Sequence, residues 1–249
     1  MHPVLISIGD FNLYSWGFML AVSVILAIFG IGRLLEREGF DREIVLDLAI
    51  LTVISGIVGG RLAYMLIYEW PELISNPLSL FYLTDGGISG LVWYGGLLGG
   101  FLAFVIYLMV KRISFWPIAD MFSPFVALGY CLVRVGCFLN GCCYGKPTAS
   151  IFGVVFPFGE AVTRHPTQLY SSLAGLLIFL FLMWFLPKRK FNGQVFILFL
   201  ILYSVYRFFL EFLRENAAMY GPFSTSQSYS VFLFAAAVVL YLWRKSRTI

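Results

Sequence analysis

The chain has 249 residues, is 60% hydrophobic and only 12% charged, and its mean hydropathy is +0.88. A soluble domain carries about twice that charge, so a water-soluble fold is excluded and an all-α integral membrane protein is expected. The net charge of +4 then belongs to basic loops, and no nucleic-acid partner is expected.

Residues 1–18 carry no Lys or Arg ahead of the first apolar run, whereas a cleavable leader needs a positive start, so the run reads as a retained span. Seven runs approach the roughly 20 residues a span needs, near 14–32, 45–68, 88–110, 117–138, 167–186, 194–213 and 228–243. Basic residues outside them fall in two groups. Arg33, Arg37, Arg42, Lys111, Arg112, Lys188, Arg189, Lys190, Arg244, Lys245 and Arg247 alternate with a side that holds only Lys146, Arg164 and Arg214. The positive-inside rule places the N-terminus outside and the C-terminus in the cytoplasm. Trp16, Trp70 and Trp93 near outer ends and Trp116, Trp184 and Trp243 near inner ends fit interfacial belts. No repeat and no soluble segment interrupts the pattern, so residues 1–249 read as one transmembrane domain. Its longest outer loop spans about 139–166.

Three arginines remain, all inside predicted spans: Arg61, Arg134 and Arg207. Each costs at least ~2.5 kcal/mol at a helix centre, even on the mildest insertion scale. Counting 1.5 Å per residue, all three lie within ~6–11 Å of the outer interface, at headgroup depth. Only Arg207 has an obvious local partner, Glu211 at i+4, on a stripe with Tyr203 and Arg214. Tyr130, Arg134, Cys137 and Gly141 form a matching stripe. Guanidinium forks at this depth suit an anionic group such as a phosphate. The glycine pairs Gly56/Gly60, Gly95/Gly99 and Gly96/Gly100 predict close helix packing. Thr163-Arg164-His165-Pro166-Thr167-Gln168 predicts a helix start whose dipole also favours an anion.

The stretch Arg134–Thr148 gathers Arg134, Cys137, Asn140, Cys142, Cys143 and Lys146 beside Gly136, Gly141 and Gly145. Four cysteines, three of them so close together, are too few and too local for a disulfide framework. A metal or redox centre with His165 is an alternative, but adjacent cysteines are not spaced like a usual zinc knuckle. No metal and no cofactor is expected.

Several motifs occur in one order: Gly59-Gly60-Arg61-Leu62-Ala63-Tyr64, Gly86-Gly87-Ile88-Ser89, Tyr94-Gly95-Gly96-Leu97-Leu98-Gly99, Arg134–Thr148, Arg164-His165-Pro166-Thr167-Gln168-Leu169-Tyr170, and Tyr203 through Arg214. Along nearly its whole length the chain resembles the prolipoprotein diacylglyceryl transferases. The resemblance implies a multi-pass enzyme of the bacterial cytoplasmic (inner) membrane. Its substrates are phosphatidylglycerol, a membrane lipid, and prolipoprotein signal peptides with a lipobox cysteine. The thiol attacks the glyceryl C3 carbon, a thioether forms and glycerol-1-phosphate leaves. Carried over by motif, Arg134, Arg207 and Tyr94 are the expected catalytic residues. Arg134, Arg61, Asn140, Gly145, His165, Gln168, Tyr203 and Glu211 are the expected substrate contacts.

The chain also departs from the family pattern. Tyr94 stands where the best-studied members have a histidine, Cys137 where they often have Asn, Cys142 where they have an acidic residue, and Trp16 where they have Tyr. A phenol with pKa near 10 is a poor general base but a good hydrogen-bond donor. Two other readings are a related membrane transferase with a different acceptor, and a lipid or anion transporter. The latter lacks the inverted repeat and paired broken helices of many transporters.

Overall fold

The computed structural model describes residues 1–8, 11–81, 90, 92–157, 162–215, 219–220 and 223–247. Among them, six helices are long and apolar enough to cross a membrane. These are α1 (Ser15–Arg37), α2 (Glu43–Tyr68), α5 (Phe115–Leu139), α6 (Thr167–Phe185), α7 (Gln194–Leu210) and α8 (Thr225–Ser246). Between α2 and α5 lie a short helix, α3 (Trp70–Ser75), and α4 (Trp93–Val110). The protein is a multi-pass membrane protein of the all-α class.

The run predicted at 88–110 differs from the other six. Its helix begins only at Trp93 and has 18 residues, about 27 Å, which is short of the ~30 Å hydrocarbon core. Residues 88, 89 and 91, like the Gly86-Gly87-Ile88-Ser89 motif, lie outside the described residues.

Large apolar side chains point outward along the long helices: Ile50, Val53 and Ile54 on α2, Phe232, Val239 and Leu242 on α8. Lipid tails are as apolar as these side chains, so nothing drives them inward. Helix contact rests instead on close backbone approach and on a few polar ties.

The chain forms two compact units, residues 35–115 and residues 1–34 with 116–249. In the first, α2 and α4 meet backbone to backbone. A Cβ on Gly96 would lie 3.1 Å from the Gly56 carbonyl oxygen, and one on Gly99 would lie 3.2 Å from the Gly59 Cα and run into the Ser55 carbonyl. The stripe on α2 is therefore Ser55, Gly56 and Gly59. Gly60, one turn beyond Gly56 as expected of a close-packing pair, offers its carbonyl to the Val92 N–H at 3.0 Å and so anchors the start of α4. Further along the pair, the Tyr107 hydroxyl donates to Asp47 Oδ2 at 2.6 Å.

In the second unit, three of the helices are entered through two-stranded hairpins. β1 (Val4–Ile8) and β2 (Phe11–Tyr14) precede α1, β3 (Val154–Val155) and β4 (Thr163–Arg164) precede α6, and β5 (Met219–Tyr220) and β6 (Phe223–Ser224) precede α8. Such pairing satisfies backbone groups in connections that helices cannot absorb. Gly136 near the end of α5 sits against the start of α1, where a Cβ would meet Trp16 Cα at 3.0 Å. Gly175 of α6 lies against the α5 backbone at Ala127 and Cys131, and Cys131 Sγ is 3.2 Å from Ser172 Oγ.

At the opposite end of this unit Asp120, fully buried on α5, accepts from the Gly193 N–H at 2.7 Å and the Phe196 N–H at 2.9 Å. Gly193 has φ +98°, and a Cβ there would press on the Trp116 ring, so glycine is required. A carboxylate borrowed from another helix thus caps the N-terminus of α7.

Candidate active site

The polar residues singled out in the sequence collect where α5 and α7 end and α6 and α8 begin. Helix α5 stops in a glycine turn. The Cys142 N–H bonds the Cys137 carbonyl at 3.1 Å and the Gly141 N–H bonds the Phe138 carbonyl at 3.0 Å, with Gly141 at φ +72°. This is the Schellman arrangement, and it folds the chain back over the last helical turn. Cys143 follows with φ +64°, a conformation non-glycine residues seldom adopt.

Two side chains at the start of α6 hold this turn. Thr167 Oγ1 donates to the Cys143 carbonyl at 2.9 Å, and Gln168 Nε2 donates to the Cys142 carbonyl. Gln168 is 1% exposed, and its Oε1 finds no partner among the described residues. The Gly145 N–H bonds the His165 carbonyl at 2.9 Å, the His165 N–H bonds the Lys146 carbonyl at 3.1 Å, and the Lys146 N–H bonds the Leu213 carbonyl at 2.9 Å. A Cβ on Gly145 would strike that Leu213 carbonyl and crowd Thr167, so the three segments meet only because residue 145 is glycine. His165 turns its ring toward the Tyr170 hydroxyl at 3.4 Å. Pro166 is the N-cap of α6, one position ahead of the expected first turn.

Arg134 lies on α5 with its guanidinium over the Tyr130 ring, 4.9 Å from the centroid. Tyr130 in turn packs edge-on to Tyr203 of α7 at 5.7 Å, and its hydroxyl is 3.1 Å from that of Tyr206. Arg134 is one turn beyond Tyr130 and Arg207 one turn beyond Tyr203, so the aromatic layer sets both cations at the same end. Their surroundings differ. Arg207 is paired with Glu211 and donates to Ser226 Oγ at 2.9 Å. Glu211, 3% exposed, also accepts from Ser224 Oγ at 3.1 Å, and Ser224 closes a capping box with Gln227 at the start of α8. Arg134 is half-buried, and among the described residues no carboxylate pairs with it.

Beneath the Arg207 network lies a groove of roughly 200 Å³ between α7 and α8, lined by Ser204, Val205, Phe208, Phe209, Ser230, Val231 and Phe234. A charged rim above an apolar groove is the shape of an amphiphile site. Beyond α5, contacts with the Cys137 and Cys142 thiols, helped by the charges of Arg134 and Arg214, hold the Cys143 thiol below its ordinary range.

Arg61 and Tyr94 belong to the other unit. Arg61, 8% exposed, lies over the Tyr64 ring at 5.4 Å and is 3.7 Å from Glu69 Oε2. It therefore has a carboxylate partner two turns away, where only Arg207 was expected to have one. Tyr94, 62% exposed, opens α4 beside the Val92 to Gly60 tie. Asn140 caps the end of α5, its N–H on the Gly136 carbonyl at 2.9 Å. Sequence reasoning gave no individual role to Thr167, Ser224 and Ser226. Thr167 stood inside the quoted helix-start motif and Ser224 inside a Ser-x-x-Gln capping box; the Ser226 bond is visible only through contact across helices.

The family model for prolipoprotein diacylglyceryl transferase matches residues 3–243. A phosphatidylglycerol–prolipoprotein diacylglyceryl transferase 2 of Clostridium perfringens is 36% identical over 246 residues, covering 97% of this chain and 94% of that protein. A phosphatidylglycerol–prolipoprotein diacylglyceryl transferase of Clostridium tetani is 35% identical, covering 97% of both chains. One of Geobacter sulfurreducens is 36% identical over 254 residues, covering 98% and 96%.

Proposed function

Because the chain belongs to the prolipoprotein diacylglyceryl transferase family, we propose that it moves the diacylglyceryl group of phosphatidylglycerol onto the lipobox cysteine of prolipoproteins. The whole chain acts as one transferase domain of the bacterial cytoplasmic membrane. α4 is its seventh span, with the N-terminus outside and the C-terminus in the cytoplasm. The observation that carries the reading is Arg134, a half-buried guanidinium with an aromatic face behind it and, among the described residues, no carboxylate to neutralise it. A lipid phosphate supplies that missing charge.

In the reaction the acceptor sulfur forms a bond to glyceryl C3 while the C3–O bond breaks, and glycerol-1-phosphate leaves with the displaced electron pair. The thiol proton goes to solvent or to the new phosphate monoester. Negative charge grows on the departing phosphate, so a guanidinium aimed there binds the transition state more tightly than the ground state. Arg134 is the phosphate fork. Arg207, already fixed by Glu211 and Ser226, gives an oriented positive field whose geometry does not reorganise during the step. The apolar groove between α7 and α8 takes an acyl chain. The unpartnered Gln168 Oε1 accepts from a headgroup hydroxyl. Tyr203 supports the aromatic layer, Asn140 and Gly145 shape the turn, and His165 and Arg61 hold headgroups. Tyr94 donates a hydrogen bond to the substrate.

The test is radiolabelled phosphatidylglycerol with a lipobox peptide and the purified protein. A thioether-linked labelled peptide is expected, and labelled lipid without covalent product would leave only a binding or transport role. A tag inserted near Ser150 should be reachable from outside in spheroplasts, and protection of that tag would reverse the orientation.

A further inference from the structure

We propose that Cys137, Cys142 and Cys143 hold a zinc ion whose open fourth position takes the acceptor thiol. This assignment rests on the transferase reading and supplies what that reading lacks, a means of ionising the thiol. The three Sγ atoms lie within 4.8 Å of one another, those of Cys142 and Cys143 3.5 Å apart. Four ligands at the usual Zn–S length of ~2.3 Å stand ~3.8 Å from each other, so the observed triangle closes on a zinc ion with shifts of about 1 Å or less.

The separation along the chain, with two ligands adjacent, is made workable by the fold. The Schellman turn brings residues 142 and 143 back over Cys137, and Thr167 and Gln168 fix the carbonyls of Cys143 and Cys142. The ligand backbone is thus set before any ion arrives. Cys137 is buried, Cys142 half-buried and Cys143 exposed, so an ion can enter from one side. Among the described residues no His, Asp, Glu or fourth Cys joins the group, and His165 is turned to Tyr170. Three protein ligands with one place left open is the pattern of a catalytic zinc rather than a structural one. Only soft sulfur donors are present, which favours zinc over magnesium or calcium.

The chemistry fits the reaction. A free thiol of pKa ~8.5 is only a few per cent thiolate at pH 7, and a thiol coordinated to zinc is deprotonated outright. In the step the acceptor Cys–SH displaces water from zinc and gives its proton to solvent. The bound sulfur then attacks glyceryl C3, and the neutral thioether, a weak ligand, departs as water returns.

The test uses the full-length protein in detergent. Elemental analysis should find about one zinc per chain, lost in Cys137→Ser and Cys143→Ser and kept in Cys131→Ser. Stripping the wild-type protein with phenanthroline, which requires no variant to fold, should slow transfer to a lipobox peptide at pH 7 by up to ~30-fold, the gap between a few per cent and full thiolate. Added zinc should restore the rate, and the stripped protein should instead speed up toward pH 8.5. In cobalt-loaded protein the visible spectrum should change on adding the peptide but not its Cys→Ser analogue. Full transfer by metal-free protein, or a cobalt spectrum indifferent to the peptide thiol, overturns the zinc assignment while the transferase reading stands. No thioether under any loading, with zinc and peptide present, overturns the transferase reading and this assignment with it.

Discussion

The two ends of the larger unit handle buried charge in opposite ways. At one end Asp120 is completely enclosed and its carboxylate oxygens are taken up by the Gly193 and Phe196 N–H groups, with Arg189 3.7 Å away. At the other end Arg134 leans on an aromatic ring and, among the described residues, meets no carboxylate. An enclosed charge with its own partners fixes helix positions, because removing any member strands the rest. A charge without an internal counter-ion is unfavourable until something outside supplies one. The difference separates a structural tie from a site, and it can be tested from both sides.

The largest effect is expected at Arg134. Arg134→Lys keeps the charge but loses the planar fork, and losing one oriented donor at a developing oxyanion typically costs ~2.7–4 kcal/mol, roughly 100- to 1000-fold in rate. Single-turnover transfer to a lipobox peptide should fall by that factor while the thermal midpoint stays put. A folded variant with near wild-type turnover would remove Arg134 from the mechanism.

Asp120→Ala should behave in the reverse manner. Two buried N–H groups lose their acceptor, at about 1–3 kcal/mol each, so a total of about 2–6 kcal/mol of stability is expected to go. Transfer per folded molecule should hardly change, as seen by activity normalised to the folded fraction. If activity fell while stability held, the end at Asp120 would have to be counted as part of the site.

Arg61→Lys should give the smallest change. Arg61 already has Glu69 at 3.7 Å, and Glu69 is partly solvent-exposed. A pair of this kind contributes about 0.2–1 kcal/mol to stability and a lysine can keep it, so at most a few-fold loss of rate is expected. A loss as large as that of Arg134→Lys would show that Arg61 contacts the reacting phosphate itself.

Some of this was legible in the one-dimensional pattern. Class and span positions follow from run length and hydropathy, and six of the seven runs match long helices within a few residues. The placement of Arg134 one turn beyond Tyr130 and of Arg207 one turn beyond Tyr203 follows from counting residues along a helix, and the Arg207–Glu211 pair from i+4 spacing. Helix geometry is local, so such features need no knowledge of neighbours.

Other features depended on which elements meet. The Ser224 and Ser226 bonds that close the Arg207 network come from α8, and the Asp120 bonds join residues more than seventy positions apart. The glycine contacts between α2 and α4 add Gly59, which faces Gly95 and Gly99, to the expected Gly56 and Gly60. The cysteines show the limit most sharply. A turn with Gly141 at positive φ reverses the chain and brings three sulfurs within 4.8 Å, a closeness their spacing along the chain does not announce. Hydropathy and helical spacing are properties of a single segment and can be read from letters. Partner choice, and the direction a side chain takes after a turn, are settled only when distant segments pack.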